Sequence, residues 1–183
     1  LLGSIPITEN DKLFNRSILI NPDGDIISIY DKIHMFDITL KNGESYKESD
    51  FYSSGSELKI TKVLGHSVGH TICYDLRYPK LYRALAKKGS QIIVVPSAFT
   101  HTTGKAHWHS LIKARAIENG VFILAPNQWG VNNEKRVTYG HTLIVDPWGE
   151  TLAEAEDGEM IIAAELDLNR VRDCQNAIPV LDN

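Results

Sequence analysis

Cysteine is scarce here: Cys73 and Cys174 are the only two among 183 residues. Two cysteines make no disulfide framework, so a reducing, cytoplasmic setting is expected. An excess of positive charge is also lacking. The formal net charge of −4 provides none of the clustered basic surface that phosphate binding requires, so no nucleic-acid partner is expected. No apolar run approaches membrane-spanning length, and no membrane partner is expected either. His-Glu-x-x-His, paired Cys-x-x-Cys and Gly-rich phosphate loops are all missing. What remains is ordinary for a globular protein, 43% hydrophobic and 23% charged. That is enough chain for a real core, and no linker divides it, so one domain over 1–183 is expected.

Residues 1–7 read as a strand or strand end, followed by a polar loop from Thr8 to Lys12. Arg16–Ile20 and Asp25–Tyr30 flank the turn Asn21-Pro22-Asp23-Gly24 and predict a hairpin. Residues 39–57, rich in serine, glycine and charge, predict a long surface loop. Alternation over His66, Val68, His70 and Ile72 predicts a strand, and Pro79 suits the first turn of a helix to about Lys88, closed by Gly89. Gln91–Val95 and Val121–Ala125 are apolar throughout, the mark of buried strands. Between them the pattern predicts a loop over Pro96–Lys105 and an amphipathic helix over Ala106–Asn119, stopped by Gly120. A second hairpin (Thr142–Val145, Glu150–Ala155), a strand over Met160–Leu166 and a short helix over Leu168–Asn176 complete the chain. "SILINPDGDIIS" and "HTLIVDPWGETL" form a weak internal repeat that suggests paired sheets. The whole predicts an α/β sandwich of two sheets covered by helices.

Cys73 falls where a strand ends and a helix is about to start, with Asp75 and Arg77 beside it. Such a corner presents a side chain outward and leaves backbone N–H groups free. Cys73 is therefore either a nucleophile or, like most free cysteines, a small packing residue. Lys32 sits in Tyr30-Asp31-Lys32-Ile33-His34-Met35-Phe36-Asp37 among apolar residues. It reads either as a desolvated cation able to hold an oxyanion or as a solvated lysine at a strand end. His101, His107 and His109 cluster in sequence, but His107 and His109 are two apart on a helix and face different ways, so no metal site is assigned.

Five ordered blocks then carry a resemblance: "YDKIHMFD", "YKESD", "GHTICYDLRYPKLYRALAKKG", "PSAFTHTTGKAHWHSLIKARAIENG" and "YGHTLIVDPWGE". Together they resemble the carbon–nitrogen hydrolase, or nitrilase, superfamily, and within it the amidase branch of deaminated-glutathione amidases and omega-amidases. The resemblance implies an αββα four-layer sandwich and a Glu-Lys-Cys triad with no cofactor and no metal. By motif, Cys73 matches the nucleophile, Lys32 the lysine and Glu48 a second glutamate that supports the lysine or positions substrate. The Tyr74 N–H would share the oxyanion with Lys32, while Phe99, Thr100 and Thr103 would line the pocket and Arg136, with Tyr139, would reach a substrate carboxylate. His107, Trp108 and Arg115 match the family's helix motif and are expected in packing, pocket wall or subunit contact; Asp75 and Arg77 are expected to brace the elbow and Cys174 to be inert.

The implied activity is hydrolysis of the amide of a small carboxylated substrate through a cysteine thioester, with a homodimer or larger homo-oligomer as the implied assembly. A nitrile hydrolase and a non-catalytic remnant or binding subunit of the same fold are the alternatives. One element of the family pattern is unmatched. Its general-base glutamate lies ahead of Leu1, and Glu9, the first glutamate here, sits in the wrong context. The expectation is a chain resembling the C-terminal two-thirds of the fold, weakly active or inactive alone.

Overall fold

The computed structural model describes residues 2–41, 43–133 and 136–182. Leu1, from the first predicted strand, and Asn42, from the predicted loop, lie outside them. In chain order the elements are β1 (Leu2–Glu9), β2 (Lys12–Ile20), β3 (Ile26–Asp31), β4 (Asp37–Thr39), β5 (Ser45–Lys47), β6 (Ile60–Val63) and β7 (His66–His70). Then come α1 (Pro79–Lys87), β8 (Ile92–Val94), α2 (His101–Asn119), β9 (Phe122–Ala125), β10 (Trp129–Asn133), β11 (Arg136–Tyr139), β12 (Leu143–Val145), β13 (Thr151–Glu154) and α3 (Asn169–Ala177).

The expected mixed α/β sandwich is present. Its main sheet has six strands in the order β13-β12-β9-β8-β7-β6. The central β7, β8 and β9 run parallel, and β6, β12 and β13 pair antiparallel at the two sides. Parallel neighbours need crossovers, and α1 and α2 supply them. Their inner faces bury Leu81, Tyr82, Leu85, Trp108, Ile112 and Ala116 with Ile93, Ile123, Leu143 and Val145 from the sheet. A second sheet, β1-β2-β3, is antiparallel. It meets the main sheet through β3, where Ser28 and Tyr30 are buried; Thr61 Oγ1 donates to Ser28 Oγ at 2.5 Å. On the opposite face of β3, Ile27 and Ile29 remain exposed.

Several expectations need correction. The predicted loop Thr8–Lys12 is a two-residue turn: Asn10 and Asp11 both take positive φ (50° and 59°), and β1 and β2 run right up to them. Asn and Asp tolerate that conformation, which matches the twist of a hairpin. Glu9 therefore ends a strand, paired with Arg16 at 2.6 Å. The loop predicted over 39–57 contains β5, paired with β4, and a 3₁₀ turn over Glu48–Asp50. Helix α2 starts at His101 instead of Ala106, because Thr103 and Gly104 are buried there and packing overrides their poor helix propensity. No strand forms over Met160–Leu166 among the described residues. That stretch alternates in exposure as a strand would, but it has no neighbouring strand to complete a ladder, and Ile161 is 98% exposed.

Candidate active site

The predicted elbow is strained. Cys73 opens a 3₁₀ turn over Cys73–Arg77, separated from β7 by two residues, and takes φ +46°, a conformation uncommon for any residue with a Cβ. The turn is fastened from several sides. Cys73 N–H donates to Pro96 O at 3.0 Å, and Arg115 Nε donates to Leu76 O at 2.9 Å. Asp75, fully buried, accepts four hydrogen bonds. Its Oδ2 takes Tyr30 O–H (2.7 Å) and Ile72 N–H (2.9 Å); its Oδ1 takes His34 Nδ1–H (2.7 Å) and His34 N–H (3.1 Å). Burial, together with the Asp75 charge, pushes the Tyr30 phenol far above its ordinary value, so it stays a donor.

Tyr30 and His34 flank Lys32 in sequence, so Asp75 ties the elbow to the segment that carries the lysine. Lys32 is 2% exposed. Its ammonium donates to Glu48 Oε2 at 2.5 Å. Glu48 also accepts Phe36 N–H (2.7 Å, on the same oxygen as Lys32) and Asn15 Nδ2–H (3.2 Å, on the other). A buried lysine needs such a partner, because an unpaired charge there costs several kcal/mol, on the order of 3–5. The solvated strand-end reading of Lys32 is thereby excluded.

Cys73, Tyr74, Lys32, Glu48, Phe99, Thr100, Thr103 and Arg136 all line one cavity of about 580 Å³. Such a volume suits a small organic molecule. Glu48 is the one carboxylate residue among those lining it. Phe99 N–H donates to Asn127 Oδ1 at 3.0 Å, and Thr100 Oγ1 lies 2.8 Å from Thr103 Oγ1, which fixes the loop after β8. Arg136 enters from β11; its Nη2 donates to Ala98 O at 3.3 Å, while its buried Nε has no partner among the described residues. Arg77 lies over the Phe99 ring at 5.4 Å and donates to His107 Nδ1 at 3.3 Å; burial lowers its pKa below the ordinary arginine value. Tyr139 is not a lining residue, and Cys174 sits on α3, where burial pushes its thiol up.

Reading the sequence did not single out Asn15, Tyr30 or His34 as site residues. Tyr30 and His34 stand within the block that carries Lys32, but their shared partner, Asp75, is 41 or more residues away. Asn15 gives no signal of its own in the strand where it lies.

Known proteins resemble the chain over most of its length. Residues 1–176 match the family model described as carbon-nitrogen hydrolase. The chain is 44% identical over 181 residues to "Probable hydrolase nit2" of Schizosaccharomyces pombe, covering 96% of this chain and 66% of that protein. To the deaminated glutathione amidase of Yersinia enterocolitica it is 39% identical over 186 residues, covering 100% of this chain and 65% of the relative. Among solved structures, Saccharomyces cerevisiae Nit3, a member of branch 10 of the nitrilase superfamily, superposes with a TM-score of 0.86 at 36% identity. That match covers 97% of this chain and 63% of Nit3. The chain thus spans about two thirds of the length of each of these proteins.

Proposed function

The chain belongs to the carbon–nitrogen hydrolase family, and from that premise we propose that it is an amidase domain over 1–183 acting on a small carboxylated amide. The observation that carries this reading is the strained Cys73, φ +46°, in one cavity with the buried Lys32–Glu48 pair. In the proposed reaction the Cys73 sulfur attacks the amide carbonyl carbon and the C=O π pair moves onto oxygen. The Lys32 ammonium and the Tyr74 N–H, which no backbone carbonyl accepts among the described residues, hold that oxyanion. One well-placed donor of this kind is worth about 3–4 kcal/mol. The C–N bond then breaks, ammonia leaves carrying the proton that the Cys73 thiol gave up on attack, and a thioester remains. Water hydrolyses the thioester to a carboxylate and regenerates the thiol.

Glu48 is assigned to holding Lys32, because three donors already occupy its carboxylate. No other described residue lining the cavity is a carboxylate that could take the thiol proton. Arg136, with one buried N–H unpaired at the wall, is the proposed partner of the substrate carboxylate. The reading includes a reducing compartment, where free thiols persist, and a homo-oligomeric assembly, which light scattering after size exclusion measures.

The test is ammonia release by the protein expressed from its whole reading frame. The substrates are omega-amides of dicarboxylic acids and the same amides with the carboxylate replaced by methyl. The carboxylated amides should be hydrolysed, with KM raised about tenfold or more by Arg136→Gln. Hydrolysis of both series at equal kcat/KM would overturn the substrate class, and no hydrolysis of any amide would overturn the enzyme.

A further inference from the structure

Three side chains, from a helix, a strand end and a connecting turn, converge outside the Cys73 cavity. His109 Nε2, from α2, donates to Glu154 Oε1 at 2.7 Å, and His141 Nδ1 donates to the same oxygen at 2.9 Å. Glu154 is the last residue of β13, and His141 lies between β11 and β12 with φ +55°. A β-substituted residue held in that conformation is a strained position that the surroundings must impose. The three potential ligand atoms lie within 4.8 Å of one another, and all three side chains are about one-third exposed, so an ion could reach them. Behind His141, its other nitrogen, Nε2, is 3.9 Å from Asp157 Oδ1. Asp157 is in turn held by Trp129 Nε1–H at 3.2 Å.

We propose that His109, His141 and Glu154 bind a late divalent transition-metal ion of the zinc type, fastening α2 to the β12–β13 hairpin. Two imidazole nitrogens and a carboxylate oxygen suit zinc; magnesium and calcium prefer all-oxygen sites. Asp157 lies beyond hydrogen-bond distance of the far nitrogen of His141 and attracts a proton there only by its charge. On binding, the Nδ1 proton of His141 transfers to Nε2, facing Asp157, and that of His109 moves from Nε2 to Nδ1. Each ring then turns a lone pair to the ion with no change in net protonation. The two histidine–Glu154 contacts would lengthen to admit the ion, which the two ring nitrogens and a Glu154 oxygen would hold with one position left for water. Sequence spacing concealed this site because it offered only the histidines of α2, whereas His109 finds its partners on other elements.

The ion would also stiffen one wall of the cavity. Tyr139 stacks on His141 with centroids 4.4 Å apart, and its N–H donates to Phe99 O at 2.9 Å. Trp108 Nε1–H donates to His141 O at 2.8 Å, and the indole packs on the Phe99 ring at 4.9 Å. None of the reacting groups of the proposed amidase belongs to this site, so the two proposals stand or fall separately.

The experiment is calorimetric titration of ZnCl₂ into metal-stripped full-length protein in which Cys73→Ala and Cys174→Ala remove competing thiols. One ion should bind per chain and raise the Tm. His109→Gln or Glu154→Gln should weaken binding by more than tenfold. His109 is only partly buried, so His109→Gln should retain the fold, checked by circular dichroism. Cobalt(II) should show the visible absorption of a tetrahedral site in the parent and lose it in His109→Gln. No heat at millimolar zinc, or binding and Tm shift unchanged in His109→Gln and Glu154→Gln, would overturn the site.

Discussion

Replacing Asp75 by asparagine keeps the shape of the side chain and removes one acceptor oxygen, and the hydrogen bonds around it set the cost. Each carboxylate oxygen of Asp75 accepts one backbone N–H and one side-chain donor. If the new NH₂ takes the Oδ2 position, the Tyr30 hydroxyl can rotate to accept from it, but Ile72 N–H is left facing another donor. If the NH₂ takes the Oδ1 position, His34 can change tautomer, but its own N–H is stranded. Either way one buried N–H loses its partner, at about 1–3 kcal/mol, and the surviving bonds lose the charge that strengthened them. A total of roughly 3–5 kcal/mol is expected, which for a chain of this size lowers the Tm by about 6–20 °C. Equilibrium urea unfolding at neutral pH measures the loss, with Asp50→Asn on the exposed 3₁₀ turn as a control that changes it by under about 0.5 kcal/mol. A loss below about 1 kcal/mol for Asp75→Asn would refute the claim that this carboxylate clamps the elbow to the lysine segment.

Other perturbations test other parts of the account. Lys32→Ala strands the buried Glu48 carboxylate and should destabilise by about 3–5 kcal/mol, read by urea unfolding, while slowing acylation about 10²–10³-fold in a stopped assay. Gly104→Ala would bring a Cβ within 3 Å of the Tyr139 ring, so a loss of about 1–3 kcal/mol is expected; an unchanged Tm would show that the ring yields freely. His70 is fully buried, and burial, with a smaller contribution from Lys59, lowers its pKa to about 4. The unfolded chain therefore takes up a proton first. Stability should fall as pH drops from about 6.5 towards 4, by about 3 kcal/mol in all, and His70→Asn should flatten that slope.

How much of the molecule was legible beforehand depended on distance along the chain. The buried runs of β8 and β9, the helix behind Pro79 and both hairpins arise from local periodicity and turn chemistry, and they stand where expected. Cys73 and Lys32 were ambiguous as single residues; only the order of several blocks pointed to them. Sequence could not show the link between them, since Asp75 meets Tyr30 across 45 positions. The start of α2 was missed because burial of Thr103 and Gly104 outweighs their local preference. Met160–Leu166 failed for the opposite reason: its pattern is strand-like, but a strand exists only with a partner. The His109–His141–Glu154 cluster joins a helix, a turn and a strand end, a convergence that no spacing rule reveals.

The proposed reaction requires Cys73 to carry the acyl group. Intact-mass spectrometry of the acid-quenched protein, after mixing with an omega-amide of a dicarboxylic acid, tests it most directly. An adduct of the substrate mass less ammonia is expected, located on the peptide containing Cys73 and absent in Cys73→Ala, which should also release no ammonia. Ammonia release by Cys73→Ala at the rate of the unaltered protein, or an adduct on any other residue, would contradict it.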